Sequence, residues 1–187
     1  MGVKDQMISV LRSGETQRIN FSFTGTTGAT ISVSGRTLSQ VADALANESI
    51  NIVENAFTAD IAMYSSRAEN GRAANTFYLG RNPRWSRNFN GLIVHESLHA
   101  YFDLRRTTIP WIDNEAAAYI AQGYYLRNSG YSRDRLQFGS QTSIGYALVN
   151  EIFLGNDTQF FLDALRNSLN ADPQYHSYIS GTFTGDG

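Results

Sequence analysis

Hydrophobic positions near the start of the chain alternate with polar ones, whereas those further on recur every three or four residues. Residues 17–23 and 29–34 each alternate at period two, with Gly25-Thr26-Thr27-Gly28 between them. That is the pattern of two half-buried strands joined by a four-residue turn. Met7-Ile8-Ser9-Val10-Leu11 predicts a further short strand ahead of them. From Thr37 to about Ala68, the residues Leu38, Val41, Leu45, Ile52, Val53, Ala56, Phe57 and Ile61 return at spacings of three and four. Such a stripe predicts helix, either one long helix or two with a break between Asn47 and Asn51. Thr37 or Ser39 is suited to cap its start.

Asn75-Thr76-Phe77-Tyr78-Leu79 reads as one more strand, closed by Gly80 and Pro83. Helical spacing then returns over residues 89–104 and again from Asp113 to about Arg127, near Gly130. Residues 107–111, with Pro110 among them, predict a turn between these helices. Two more helices are expected over 142–154 and 157–169, separated by Gly155-Asn156. The tail from Asp172 is aromatic and ends rich in glycine. A β region followed by a mainly helical body predicts an α+β fold. A chain of 187 residues is expected to form one domain, 1–187, with a core that needs no staples.

Composition narrows the functions open to such a chain. The net charge is -2, and no basic stripe tracks a phosphate backbone, so nucleic acid is not an expected partner. No apolar run approaches the length of a membrane span. Cysteine is absent, which excludes a thiolate metal site, a disulfide frame and a cysteine nucleophile. No apolar signal segment follows Met1, so a cytoplasmic location or a leaderless export route is expected. Aromatic residues are plentiful, with ten Tyr and eleven Phe. Arg81, Arg84 and Arg87 surround Trp85 in a basic, aromatic loop suited to capping the following helix or to meeting anionic groups.

The chain has three histidines, and two of them, His95 and His99, lie in the apolar helical segment as His95-Glu96-Ser97-Leu98-His99. Residues four apart on a helix share a face, so both imidazoles can grip one metal ion. A catalytic zinc site needs three protein ligands and one open position. Glu115 is the best candidate for the third ligand, arriving on the next helix after a turn that can reverse the chain. Ala116, Ala117 and Ala118 behind it allow the two helices to approach closely. Asp113 is the rival ligand, although a residue there more readily serves as a plain N-cap. Asp103, one turn beyond His99, and Asp113 are candidates to orient an imidazole. Tyr119, Tyr146, Tyr175 and His176 are candidate donors to an oxyanion. Tyr119, Tyr124 and Tyr125 also suit plain helix packing.

HESLHA at 95–100 and DNEAAAY at 113–119 together resemble the active-site helix and glutamate helix of gluzincin-type zincin metallopeptidases. The likeness covers about 35 residues. It implies a zincin-like fold, a Zn²⁺ cofactor held by His95, His99 and Glu115, and Glu96 as general base. It implies hydrolysis of peptide bonds in a peptide or protein substrate, with Glu96 passing a proton from water to the leaving amine. In such enzymes the substrate lies along an edge strand, and Asn75 to Leu79 is the strand in the matching place along the chain. The spacer between the two motifs is shorter than in thermolysin-like enzymes. The residue four after Glu115 is Tyr119 rather than an aspartate. The alternatives are a non-catalytic binding or structural module of zincin-like form, and a zinc hydrolase acting on a non-peptide amide.

Overall fold

The computed structural model describes residues 2–58, 61–80 and 85–187. Among these, helices and three small sheets make a mixed architecture in keeping with the α+β class. The first element corrects the expected strand at 7–11, because α1 is a helix, Val3–Leu11. Met7, Val10 and Leu11 are buried and Val3 packs against them. Read from Val3, these positions form a helical stripe that five residues alone do not display. The short helix α2, Gly14–Gln17, leads into the expected hairpin of β1, Asn20–Thr24, and β2, Thr30–Ser34. The two strands are antiparallel, with Asn20 opposite Ser34 and Phe21 opposite Val33.

The following helix, α3, spans Gly35–Ala46 and buries Leu38, Val41 and Leu45 as the periodicity predicted. Ser34, not Thr37 or Ser39, occupies the cap position, and Thr37 Oγ1 accepts from the Ser34 N–H at 3.1 Å. The helix stops at Asn47, whose Oδ1 accepts from both the N–H and the hydroxyl of Ser49. Beyond it the expected helix is replaced by β3, Asn51–Phe57, and β4, Ala62–Ser65. These join β5, Thr76–Gly80, in a sheet of order β3-β5-β4. β3 runs parallel to β5 from Asn51 opposite Thr76, and β4 runs antiparallel to it. β3 is mostly exposed, so no buried alternate face announces it as a strand. Its pairing with β5 decides its form, and that partner is distant in sequence.

β5 contains Thr76, Phe77, Tyr78 and Leu79 and is paired on both sides. The expectation that residues 75–79 receive a substrate strand is therefore corrected. Among the described residues the edges of this sheet are β3 and β4, and β4 is the edge that packs beside the motif helix.

That helix, α4, spans Arg87–Leu104, and Ser86 Oγ caps it by accepting from the Phe89 N–H at 3.1 Å. The glutamate helix, α5, spans Trp111–Asn128 and packs against α4. Between them, the expected turn is instead a strand, β6, Thr108–Pro110. Its antiparallel partner is β7, Thr182–Thr184, at the far end of the chain. Two helices close the body, α6, Gln141–Leu154, and α7, Gln159–Ala171, separated at Gly155 with φ +72° as the sequence implied. α5 and α6 meet almost backbone to backbone: a Cβ on Gly145 would lie 2.6 Å from the Tyr119 carbonyl oxygen. The core is one connected cluster drawing on helices and sheets alike. Among the described residues, no helix is long and apolar enough to cross a membrane.

Candidate metal centre

α4 places His95 and His99 one turn apart on its buried face, with ring centroids 5.0 Å apart and nearly perpendicular. α5 packs alongside and delivers Glu115, which is also buried. Glu115 Oε2 lies 3.4 Å from His95 Nε2 and 3.8 Å from His99 Nε2. One ligand atom from each of the three residues falls within 4.8 Å of the others. These buried side chains lie close enough to bind a metal ion.

The donor set fits a tetrahedral site. Ligands about 2.0–2.1 Å from a central ion stand roughly 3.3 Å from one another, close to the separations from Glu115. Glu115 Oε2 and His95 Nδ1 are buried without a hydrogen-bond partner among the described residues. An orphaned carboxylate oxygen aimed at two imidazoles is costly unless a cation completes it. Burial raises the Glu115 carboxyl, but the His99 and His95 imidazoles and the Tyr178 hydroxyl outweigh it and leave its pKa below the ordinary value.

The residue before Glu115 was not legible as part of this arrangement. Asn114 is fully buried, and its Oδ1 lies 2.8 Å from His99 Nδ1. A proton on Nδ1 donates to that carbonyl, which fixes the ring and directs the Nε2 lone pair at the centre. Neither Asp103 nor Asp113 plays that part. Asp103 Oδ2 accepts from the Tyr64 hydroxyl at 2.6 Å, and its Oδ1 accepts from the Asp186 N–H at 3.0 Å. Asp113 Oδ2 accepts from the N–H and hydroxyl of Thr26, each at 2.7 Å, and its Oδ1 pairs with Arg166 Nη2 at 2.7 Å. Asp113 thus ties the hairpin turn and α7 to α5, and its carboxylate is fully engaged away from the histidines.

Glu96 is buried beside the ligands, and its Oε2 accepts from the Tyr64 N–H of β4 at 2.8 Å. Burial pushes its carboxyl up to about 7, against the lowering effects of His99 and that N–H. Around the centre, aromatic rings touch in a closed circuit. His95 meets Tyr119 edge-on at 4.5 Å, and the Tyr119 and Tyr175 hydroxyls share a hydrogen bond. Tyr175 meets Tyr178 at 5.8 Å, Tyr178 meets Trp111 at 4.8 Å, and Trp111 meets His99 at 6.2 Å. Tyr178 also donates to Glu115 Oε1 at 3.2 Å. Burial raises the Tyr119, Tyr175 and Tyr178 hydroxyls well above the ordinary phenol value, so each stays protonated.

The centre opens on a cleft of about 640 Å³. Met63 and Tyr64 of β4 line one wall, and Tyr178 and Phe183 of the C-terminal segment line another. Two expected donors stand outside it. His176 is exposed, with its Nε2 3.1 Å from the Asn170 carbonyl oxygen. Tyr146 donates to the Tyr131 carbonyl oxygen at 3.0 Å from α6. Arg87 donates to the Gly130 carbonyl oxygen at 3.3 Å, and Trp85 packs edge-on against Phe89, while Arg81 and Arg84 lie outside the described residues.

No protein-family model, curated protein or solved structure matches this chain. The chemistry of the site therefore rests on its own geometry.

Proposed function

We propose that this protein is a zinc-dependent hydrolase of peptide bonds, of zincin type, with His95, His99 and Glu115 as ligands and Glu96 as general base. One observation carries the reading: two imidazoles and a carboxylate converge in a buried triangle, and a second carboxylate stands beside them on the floor of a cleft. A borderline ion suits two imidazole nitrogens and one carboxylate oxygen better than a hard, oxygen-loving one does. A zinc ion held there supplies Lewis acidity, polarising a carbonyl and acidifying water.

The chain's own groups supply the rest. Asn114 holds the His99 tautomer that leaves Nε2 free. The Tyr64 N–H holds Glu96 by one oxygen, leaving the other to take a proton from water and return it to the leaving amine. Of the four expected oxyanion donors, Tyr175 lines the cleft, and its hydroxyl shares a hydrogen bond with that of Tyr119, which borders His95. A substrate in extended form pairs with the free edge of β4, which adjoins Glu96 directly.

The test is metal analysis of the purified chain followed by Glu96→Gln. The wild type should carry close to one zinc per chain and cleave members of a peptide library. Glu96→Gln should keep the zinc and lose cleavage by on the order of 10²–10⁴-fold. Absence of bound zinc sinks the reading. Full zinc occupancy without cleavage of any peptide turns it into that of a metal-holding binding module.

A further inference from the structure

The two oxygens of Glu115 have different surroundings. Oε2 faces the imidazoles at 3.4 and 3.8 Å and has no hydrogen-bond partner among the described residues. Oε1 accepts from the Tyr178 hydroxyl at 3.2 Å. The Tyr178 ring packs against Trp111 at 4.8 Å and against Tyr175 at 5.8 Å. Trp111 is held in turn by Phe183 of β7, whose ring is 4.9 Å away and almost fully buried. The C-terminal segment therefore reaches back across the cleft and places one hydroxyl on one carboxylate oxygen.

We infer that Tyr178 is a positioning residue that makes Glu115 a single-oxygen ligand. This inference rests on the metal reading above. A carboxylate free at both oxygens can rotate and bind an ion through both. That fills a further coordination position, the one an open catalytic site reserves. A hydroxyl committed to Oε1 opposes the rotation and directs the Oε2 lone pair at the ion. The effect belongs to the outer shell of hydrogen bonds that orients metal ligands, whose loss weakens binding by about 10–100-fold.

The experiment compares the full chain with Tyr178→Phe and His176→Ala. Phenylalanine keeps the ring on Trp111 and Tyr175 and removes only the donor. His176 is an exposed neighbour outside the cleft and serves as the control. Zinc affinity is read by competition with a chelator, and each protein is also loaded with Co²⁺ for its visible absorption. Tyr178→Phe should bind zinc about 10–100-fold more weakly. Its Co²⁺ bands should lose intensity as four-coordinate geometry expands toward five. His176→Ala should match the wild type in both. A Tyr178→Phe protein with wild-type affinity and an unchanged Co²⁺ spectrum overturns the inference while leaving the metal reading intact. A wild type that takes up neither ion overturns both. A destabilised Tyr178→Phe with the wild-type Co²⁺ spectrum assigns the hydroxyl to packing alone and also overturns it.

Discussion

Asn114 Oδ1 stands 2.8 Å from Nδ1 of His99, and the next residue, Glu115, faces Nε2 of the same ring. Successive side chains on one turn of α5 thus address opposite sides of one imidazole. The first suits the tautomer that leaves Nε2 free, and in the proposed site the second would share its ion. Asn114→Ala should weaken zinc binding by about 10–100-fold, because His99 loses the acceptor that orients it. Asn114→Asp keeps an acceptor at that place and should bind more tightly than the alanine variant. Chelator competition at fixed pH measures both. Equal affinity of Asn114→Ala and wild type would remove Asn114 from the centre.

The parts that were legible in the sequence are those in which local pattern and tertiary role coincide. His95, Glu96 and His99 share a helix, so their spacing alone puts the two imidazoles on one side with Glu96 beside them. The Glu115 helix was readable from its own periodicity. Tyr64 was hidden because β4 is made by its pairing with β5, and its segment carries apolar residues at spacings that also fit a helix. β6 and β7 were hidden for the same reason, since each is a strand only through the other. Tyr178 lies in an irregular segment that no period describes. Asn114 was missed although it adjoins a proposed ligand, because a neutral amide gives no charge signal. An amide or carboxylate next to a ligand on the same helix turn is the cue that could have found it.

Asp113 offers a contrast with its neighbours. Its carboxylate is fully buried and engaged by Arg166 and Thr26, so its work is structural. Arg166→Met leaves that carboxylate without its cation and should destabilise the fold by about 3–5 kcal/mol. Asp113→Asn should also lower stability yet retain stoichiometric zinc below its melting temperature. Denaturant melts together with metal analysis check the pair. Loss of zinc from folded Asp113→Asn would return Asp113 to the ligand set.

Metal binding should appear in the stability of the protein. A ligand present at about 100 times its Kd and bound only by the native state adds roughly 2.7 kcal/mol. For a chain of this size that corresponds to a rise in Tm of about 5–10 °C. Zinc should produce this shift and a chelator should reverse it. His95→Ala and Glu115→Ala should abolish it, because each removes one of the three converging groups. A shift that survives both substitutions would place the stabilising ion elsewhere.

Phe183 tests how far the C-terminal strand supports the site. Its side chain is 2 % exposed and meets Trp111 edge-on at 4.9 Å. Phe183→Ala removes a buried ring from the edge of the core and should cost about 3–5 kcal/mol. The ligands themselves stand on α4 and α5, which pack directly against each other, while β7 touches α5 at its first residue, Trp111. Zinc affinity of the folded variant should therefore fall less than in Asn114→Ala, through looser seating of Trp111 and Tyr178. Denaturant melts give the stability loss, and chelator competition below the midpoint gives the affinity. A folded Phe183→Ala protein that loses zinc entirely would make the tail part of the metal centre rather than its outer support.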